Sequence, residues 1–327
     1  MVNNVNKRSR TYIGIPVIAL IALTVYTTGV KVDSSCPSEV PGIGTGVVAI
    51  NDGTVMLISA QNGTKSWQIA DVAQAYSAGE LGVVASSGSK MELLSNSKEE
   101  IYEGSHLLLG TGKDTLGNWW AFAAVDPSLF GEADDGSTVL AAFPLNNDDP
   151  VALGGASGAE FGVIHISSVA DVLTITSIND LGEMVSYAIF DGKSLTYLEG
   201  FVNEPVEYNR APFLAAAVQL PLSAVAFLEA PEETEISSTS AWVVRIANQH
   251  NGKTFASYQI GSNDGSDTFT GLIATPDGAL AISDSSAWLV NRTGAKEILA
   301  SCVTGKITDV DRAYENKESK KKVNDLK

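Results

Sequence analysis

Apolar residues in this chain come in short runs, and the runs do not keep a helical period. Stretches such as VMLIS, MELLS, YAIF, AWVVRI and AWLV are each bounded by Gly, Ser, Thr, Asn or Asp, and this punctuation recurs every 6 to 12 residues between Gly46 and about residue 308. Runs of that length with such borders predict strands joined by tight turns. The most helix-like composition is FLAAAVQLPLSAVAFLEA, starting at Phe213. Its Pro221 interrupts the pattern, so two strands and a turn are expected there. Two stretches, GVVAINDG (Gly46 to Gly53) and GLIATPDG (Gly271 to Gly278), are near copies 225 residues apart. They are expected to occupy the same strand position in the first and last units of a repeat. Gly82 (GVVASSG) and Gly162 (GVIHISS) open shorter echoes.

A second signature recurs: a Gly/Asn/Asp turn, a lysine in most copies, then an alternating strand. It reads NGTKSWQI from Asn62, NSKEEIY from Asn96, DGKSLTYL from Asp191, NGKTFASYQI from Asn251 and TGAKEIL from Thr293, with NNDDPVAL from Asn146 as a weaker copy. Asn-Gly and Asp-Gly accept the positive φ of two-residue hairpin turns. The turns are spaced by about 35 to 60 residues, the range of propeller blades. The fold class is therefore all-β: a β-propeller of about six four-stranded blades over residues 46–308. The long gap between Gly192 and Gly252 leaves a seventh blade as the alternative. A pair of β-sandwiches would supply the strands but not the shared turn.

The N-terminus has a different pattern. Residues 1–11 are polar and basic, and 12–30 hold no charge. An uncharged segment of that length just spans a bilayer core, and the basic flank places the N-terminus in the cytoplasm. A signal-anchor helix over 12–30, a linker over 31–45 and an exported body follow. A cleaved signal peptide is the competing expectation. A lipoprotein is disfavoured, because Cys36 follows Asp33, Ser34 and Ser35 instead of an aliphatic residue. Residues 309–327 alternate charges without apolar period and are expected to form a charged, disordered tail.

Charge narrows the partners. The formal charge is −17 over 327 residues, and the middle of the chain carries still more negative charge than its ends. Such a body repels phosphate backbones, so nucleic acid is excluded as a partner. The two cysteines, Cys36 and Cys302, both lie on the exported side. A disulfide between them would latch the ring where its ends meet; two separate thiols are the alternative.

Copies such as GTVMLISAQNGTKSW and YAIFDGKSLTYL resemble the repeats of quinoprotein-like β-propellers, in which an apolar strand leads to Asp/Asn-x-Gly-Lys and a strand bearing Trp. The resemblance covers most of residues 46–308 and is one of repeats. Members that use pyrroloquinoline quinone are typically larger, with eight blades and a set of cofactor and calcium ligands. No such set is placed here, so no cofactor is expected. Non-enzymatic members are scaffolds and binding modules.

Candidate chemistry is sparse. His106, His165 and His250 share no metal-ligand spacing. No nucleophile elbow, P-loop or G-x-G-x-x-G is present. NDGSD from Asn263 and EADDGS from Glu132 offer oxygen ligands but lack the EF-hand pattern. Trp67, Trp242 and Trp288 are expected to pack between blades. Trp119 and Trp120 are adjacent, so strand alternation sends them to opposite faces, one to the core and the other to a contact surface. Asn62 and Asn291 begin N-x-T sequons at turns. The expected function is a membrane-tethered, extracytoplasmic, non-catalytic module that binds or scaffolds a protein partner, preferably a cationic one. An exported hydrolase or lyase using carboxylates or calcium is one alternative, and a surface adhesin or envelope component is another.

Overall fold

The computed structural model describes residues 46–59, 63–131, 138–146, 148–155, 162–169, 172–179, 182–198, 214–230, 241–261, 267–275, 277–283, 287–298 and 305–312. The expected anchor, the linker, Cys36 and Cys302 lie outside these. Among the described residues no helix is long and apolar enough to cross a membrane.

Among the described residues, twenty-four strands form six antiparallel sheets of four. Blade 1 contains β1 (Val47–Asn51), β2 (Thr54–Ser59) and β3 (Gly63–Gln68). Blade 2 is β4 (Gln74–Ser77), β5 (Val83–Ser86), β6 (Lys90–Leu94) and β7 (Lys98–Glu103). Blade 3 is β8 (His106–Lys113), β9 (Trp119–Val125), β10 (Val139–Pro144) and β11 (Val151–Gly155). Blade 4 is β12 (Gly162–Val169), β13 (Val172–Asn179), β14 (Gly182–Phe190) and β15 (Leu195–Tyr197). Blade 5 is β16 (Leu214–Leu220), β17 (Ala224–Glu229), β18 (Trp242–Asn248) and β19 (Thr254–Ile260). Blade 6 is β20 (Phe269–Thr275), β21 (Gly278–Ser283), β22 (Ala287–Asn291) and β23 (Gly294–Ile298). The last strand, β24 (Lys306–Val310), returns to pair with β1 and completes blade 1.

We call the four positions a to d from the centre outward. Each a strand packs on the next, and β20 packs on β24, so the six close a circle. The blade count is six, and the a strand of five blades carries a register shift against its b strand. Such bulges bend a strand and increase its twist.

Burial explains the sequence pattern. Each sheet has a neighbour on both faces, so its inner strands are apolar without alternation. TVMLIS (β2) and GALAIS (β21) are buried at every position. The outer d strands β3 and β19 are mostly exposed, and their sequences turn polar accordingly. Leu214 to Glu229 forms β16, a Pro221–Leu222–Ser223 turn and β17, as the proline indicated.

All six turn signatures fall between strands c and d, once per blade. The local cause is visible in four of these turns. Asn146, Asp191, Asn248 and Asn291 each accept, through Oδ1, a backbone N–H two residues on, at 3.4, 2.9, 2.8 and 2.9 Å. These are Asx-turns.

The paired stretches GVVAINDG and GLIATPDG are a correction. The first is strand b of blade 1, and the second is strand a of blade 6. Both positions are covered on two sides and end in a hairpin, so their sequences converge although they are one strand out of phase. The equivalent of Gly46 is Gly278. A Cβ there would come within 1.8 Å of the Ile58 carbonyl at Gly46 and 2.3 Å of the Val290 carbonyl at Gly278, each on strand c of its blade.

The ring is closed by β24, and its structured body continues past residue 308. Asp309, Asp311 and Arg312 are buried, so the expected charged tail gives up its first four residues to the fold. The Asp309 carboxylate accepts the Ser77 N–H at 2.9 Å and the Arg312 guanidinium at 3.2 Å, while Arg312 N–H donates to Ser77 Oγ at 3.0 Å. Thr111 Oγ1 donates to the Ser77 carbonyl at 2.6 Å, and Gln219 N–H donates to Thr174 Oγ1 at 2.9 Å. Burial first, and the nearby Asp309 charge second, push the Tyr76 phenol far above its ordinary value.

A buried charge left without its partner costs about 3–5 kcal/mol, whereas an apolar replacement of the pair is often neutral. Arg312→Ala should therefore lower the urea midpoint by that equivalent, and D309N/R312M should recover most of it. A midpoint for Arg312→Ala within the range of surface substitutions would remove the pair from the closure.

Candidate functional site

Strand direction alternates, so the a–b and c–d turns share one face of the ring and the b–c and d–a connections share the other. In sequence, the b–c and d–a connections hold seventeen acidic residues and one basic residue, Arg210; the acidic ones among the described residues are Asp52, Asp71, Asp126 and Asp267. The a–b and c–d connections contain seven acidic residues and three basic ones. The a–b face also carries exposed leucines: Leu116 is 82 % exposed, Leu222 74 % and Leu81 37 %.

Each of these leucines sits on a defined turn. Leu116 lies between β8 and β9, where Asp114 is buried beneath it. Asp114 Oδ1 accepts the N–H groups of Leu116 and Asn118, both at 2.9 Å. Its Oδ2 accepts Asn118 Nδ2 at 2.9 Å and Trp120 Nε1 at 3.0 Å. Burial raises the carboxyl, but the bonds from Asn118, Trp120 and Leu116 outweigh it and hold the group below its ordinary value. Leu222 has φ +64°, and Ser223 after it φ +53°. A leucine in that left-handed region is an outlier. Leu81 ends the short 3₁₀ turn Gly79–Leu81.

Trp119 and Trp120 are not a contact surface, which corrects the expectation for one of them. They do point to opposite faces of β9, but a blade covers each face. Trp119 packs with Ala78, Val84 and Leu93 of blade 2, and Trp120 with Ile166, Leu173 and Phe190 of blade 4. Trp67, Trp242 and Trp288 lie against the cores between blades, as their strands implied. Trp67 Nε1 also donates to the Ser95 carbonyl of the next blade at 3.0 Å.

His106 and His250 lie in different blades. His250 is exposed in the c–d turn of blade 5, and the side chain of His165 lies outside the described residues. His106 is buried and makes a pairing that its sequence position does not signal. Its Nδ1 donates to the Gly104 carbonyl at 2.8 Å, leaving Nε2 to accept the Ser86 hydroxyl at 2.8 Å. Ser and His in this arrangement are the elements of a nucleophile and its base. Here Ser86 Oγ also accepts the Gly88 N–H at 3.0 Å, and Ser86 is fully buried. The pair staples strand b of blade 2 to the start of blade 3.

Two clefts open at blade junctions. One of about 120 Å³ lies between blades 1 and 2, against Trp67, Glu80, Leu81 and Asp311. One of about 180 Å³ lies between blades 2 and 3, against Tyr102, Leu129, Phe143 and Asp148. Drug-sized ligands occupy about 300–1,000 Å³. Among the described residues no group of three His, Cys, Asp or Glu is placed to hold a metal ion. The carboxylates displaced from their ordinary values, Asp114 and Asp191, are both lowered, by the hydrogen bonds of their own turns. That sign suits an anchor for a loop rather than a general acid. NDGSD and EADDGS lie almost wholly outside the described residues.

No family model and no curated protein matches this chain. Among solved structures it is similar to a chain of a nidogen/laminin complex, at 11 % identity and a TM-score of 0.52, covering 82 % of this chain and 97 % of that one. It is also similar to a chain of the S. cerevisiae Dbp5–Nup159–Gle1 assembly (9 % identity, TM-score 0.44, 81 % and 72 % covered) and to puromycin hydrolase (11 %, 0.44, 81 % and 46 %). The first likeness is one of fold: a six-bladed β-propeller, with the resemblance to quinoprotein-like proteins standing at the level of the repeat.

Asp114 links turn and core, so Asp114→Asn should cost about 1–3 kcal/mol by setting an amide N–H against existing donors. A carboxyl lowered by folding contributes stability that is complete above its unfolded value near 4 and is lost as pH falls through the folded value. The stability difference between wild type and Asp114→Asn should thus be full at pH 6 and shrink below about pH 4. Denaturation curves showing a difference independent of pH would count against this assignment.

Proposed function

We propose that this propeller is a non-catalytic binding or scaffolding module of the quinoprotein-like type, tethered outside the cytoplasm by the 12–30 segment and engaging a cationic protein. The observation that carries this reading is the sequence of the b–c and d–a connections, which holds seventeen acidic residues and one basic residue. A face of one sign steers an oppositely charged partner and sets its orientation more than it adds affinity. The six blades support that role as a stiff frame, because each a–b and b–c turn is fixed at both ends by a strand of the blade's inner part. A bond between Cys36 and Cys302 belongs to the same reading.

Attraction of this kind is screened over about 8 Å at physiological salt. Capture from crosslinked membranes should return a basic protein, with recovery falling several-fold when salt is raised from about 50 mM to about 500 mM before crosslinking. Repeated capture that returns no partner, or one held equally well at both salt concentrations, would sink the proposal.

A further inference from the structure

Among the described residues, a cation of the chain lies over an aromatic ring in three places. Arg245 covers Phe227 at 4.5 Å, Lys113 covers Trp119 at 4.8 Å and Arg292 covers Phe255 at 4.1 Å. A carboxylate completes two of them, Glu229 at 2.7 Å from Arg245 and Glu80 at 3.8 Å from Lys113. Arg292 bridges two blades: it leaves the c–d turn of blade 6 and covers a ring on β19, the d strand of blade 5. At blades 3 and 2 the same elements, a c–d turn and the d strand β7, border the cleft of about 180 Å³. Both c–d turns are Asx-turns, at Asn291 and Asn146. The next residue is Arg292 in one and Asn147 in the other, and LNNDDP from Leu145 holds no basic residue.

The cleft keeps the other parts of such a site. Ile101, Tyr102 and Phe143 supply apolar lining, and Glu99, Glu100 and Asp148 supply carboxylates. Tyr102 is fixed by two neighbours, the Phe143 ring at 5.1 Å and the His106 ring edge to face at 5.5 Å. Among the described residues no Lys, Arg or His lines the cleft. The lysines of β6 and β7 are engaged otherwise. Lys90 pairs with Glu92 at 3.7 Å and Glu100 at 3.0 Å, and Lys98 Nζ donates to the Gln68 carbonyl of blade 1. Glu99 accepts the Ser97 hydroxyl at 3.1 Å, and among the described residues neither Glu99 nor Asp148 makes an ion pair.

We infer that this cleft receives an arginine side chain of the cationic protein partner, with the guanidinium against Tyr102 and within reach of Glu99 and Asp148. This rests on the partner proposed above and names the group it presents. Drug-sized ligands occupy about 300–1,000 Å³, so the cleft suits one long side chain. A residue that buries its methylenes and keeps its charge at the rim matches apolar lining beside carboxylates. Arginine fits better than lysine, because its planar head stacks on a ring and spreads its donors over two carboxylates. An aliphatic or aromatic anchor would fill the same space and leave Glu99 and Asp148 desolvated without a counter-charge.

The test exposes the full chain to a biotinylated peptide, Gly–photoleucine–Arg–Gly, and maps the adducts after irradiation. Adducts are expected on β7 and on Leu145–Pro150. Replacing the arginine of the probe by citrulline keeps the shape and removes the charge, and should lower these adducts about fivefold, as should E99Q/D148N in the protein. D52N/D71N removes as much charge from connections of blade 1 and should leave them unchanged. The urea midpoint of E99Q/D148N should match wild type, because both side chains are exposed. Adducts scattered over the body, or as abundant with citrulline, would overturn the inference and leave a salt-dependent partner standing. Equal labelling by a lysine probe would overturn the choice of arginine. In the capture from crosslinked membranes, E99Q/D148N should return several-fold less of the basic protein. Recovery at the wild-type level would remove the cleft from the interface while the partner survives, and capture of no protein by either form would overturn the partner and the inference together.

Discussion

A four-stranded sheet with two apolar faces is unstable by itself, and this requirement organises the molecule. Each blade here meets another blade on both sides, and a circle is the arrangement in which no blade is left with a bare face. The pairs of buried residues that follow are specific. Trp119 and Trp120, neighbours in sequence, reach into two different cores. Tyr187 of blade 4 packs with Ala217 and Phe227 of blade 5. Because the circle has to close, the first and last described strands share one blade, and Asp309, Arg312 and Ser77 lock that junction with charge and hydrogen bonds.

Closure also fixes which residues face outward. Once both sheet faces are used, only the d strands and the turns remain available to a partner. Turns at one end of the ring can then differ in character from those at the other without disturbing the core. The exposed Leu116 and Leu222 are placed in this way, on a–b turns of blades 3 and 5, without any change to the strands beneath them. The buried Asp114 shows how the core serves the surface: one carboxylate accepts from Trp120 inside and from the backbone of the Leu116 turn outside.

The fold was legible in the sequence where local chemistry repeats. An Asn or Asp makes an Asx-turn in four of the c–d turns, and the turn signature that goes with it recurs once per blade and counts the blades. Position within a blade was less legible. Strands a and b are both covered on two sides, and nothing in GVVAIN or GLIAT distinguishes them; the steric demand at Gly46 and Gly278 does, but only in three dimensions. Covering both faces likewise defeats the usual inference from alternation, which is why one tryptophan of the Trp119–Trp120 pair was expected at the surface. The site was hardly legible at all. Leu81, Leu116 and Leu222 follow no shared motif, and topology alone brings their turns to one mouth. His106 and Ser86 are twenty residues apart and meet across a blade boundary.

The pairing of β24 with β1 joins residues 263 positions apart, Val47 with Val310. Blade 1 is thus the first to leave the ribosome and the last to be complete. At about 5–20 residues per second, its inner edge waits roughly 13–50 s for its fourth strand. Throughout that interval β1 presents unpaired backbone groups, which invite pairing with any other open strand. Biogenesis of this protein therefore carries a timed hazard, and anything that shields β1 or shortens the delay acts on yield without touching the finished structure.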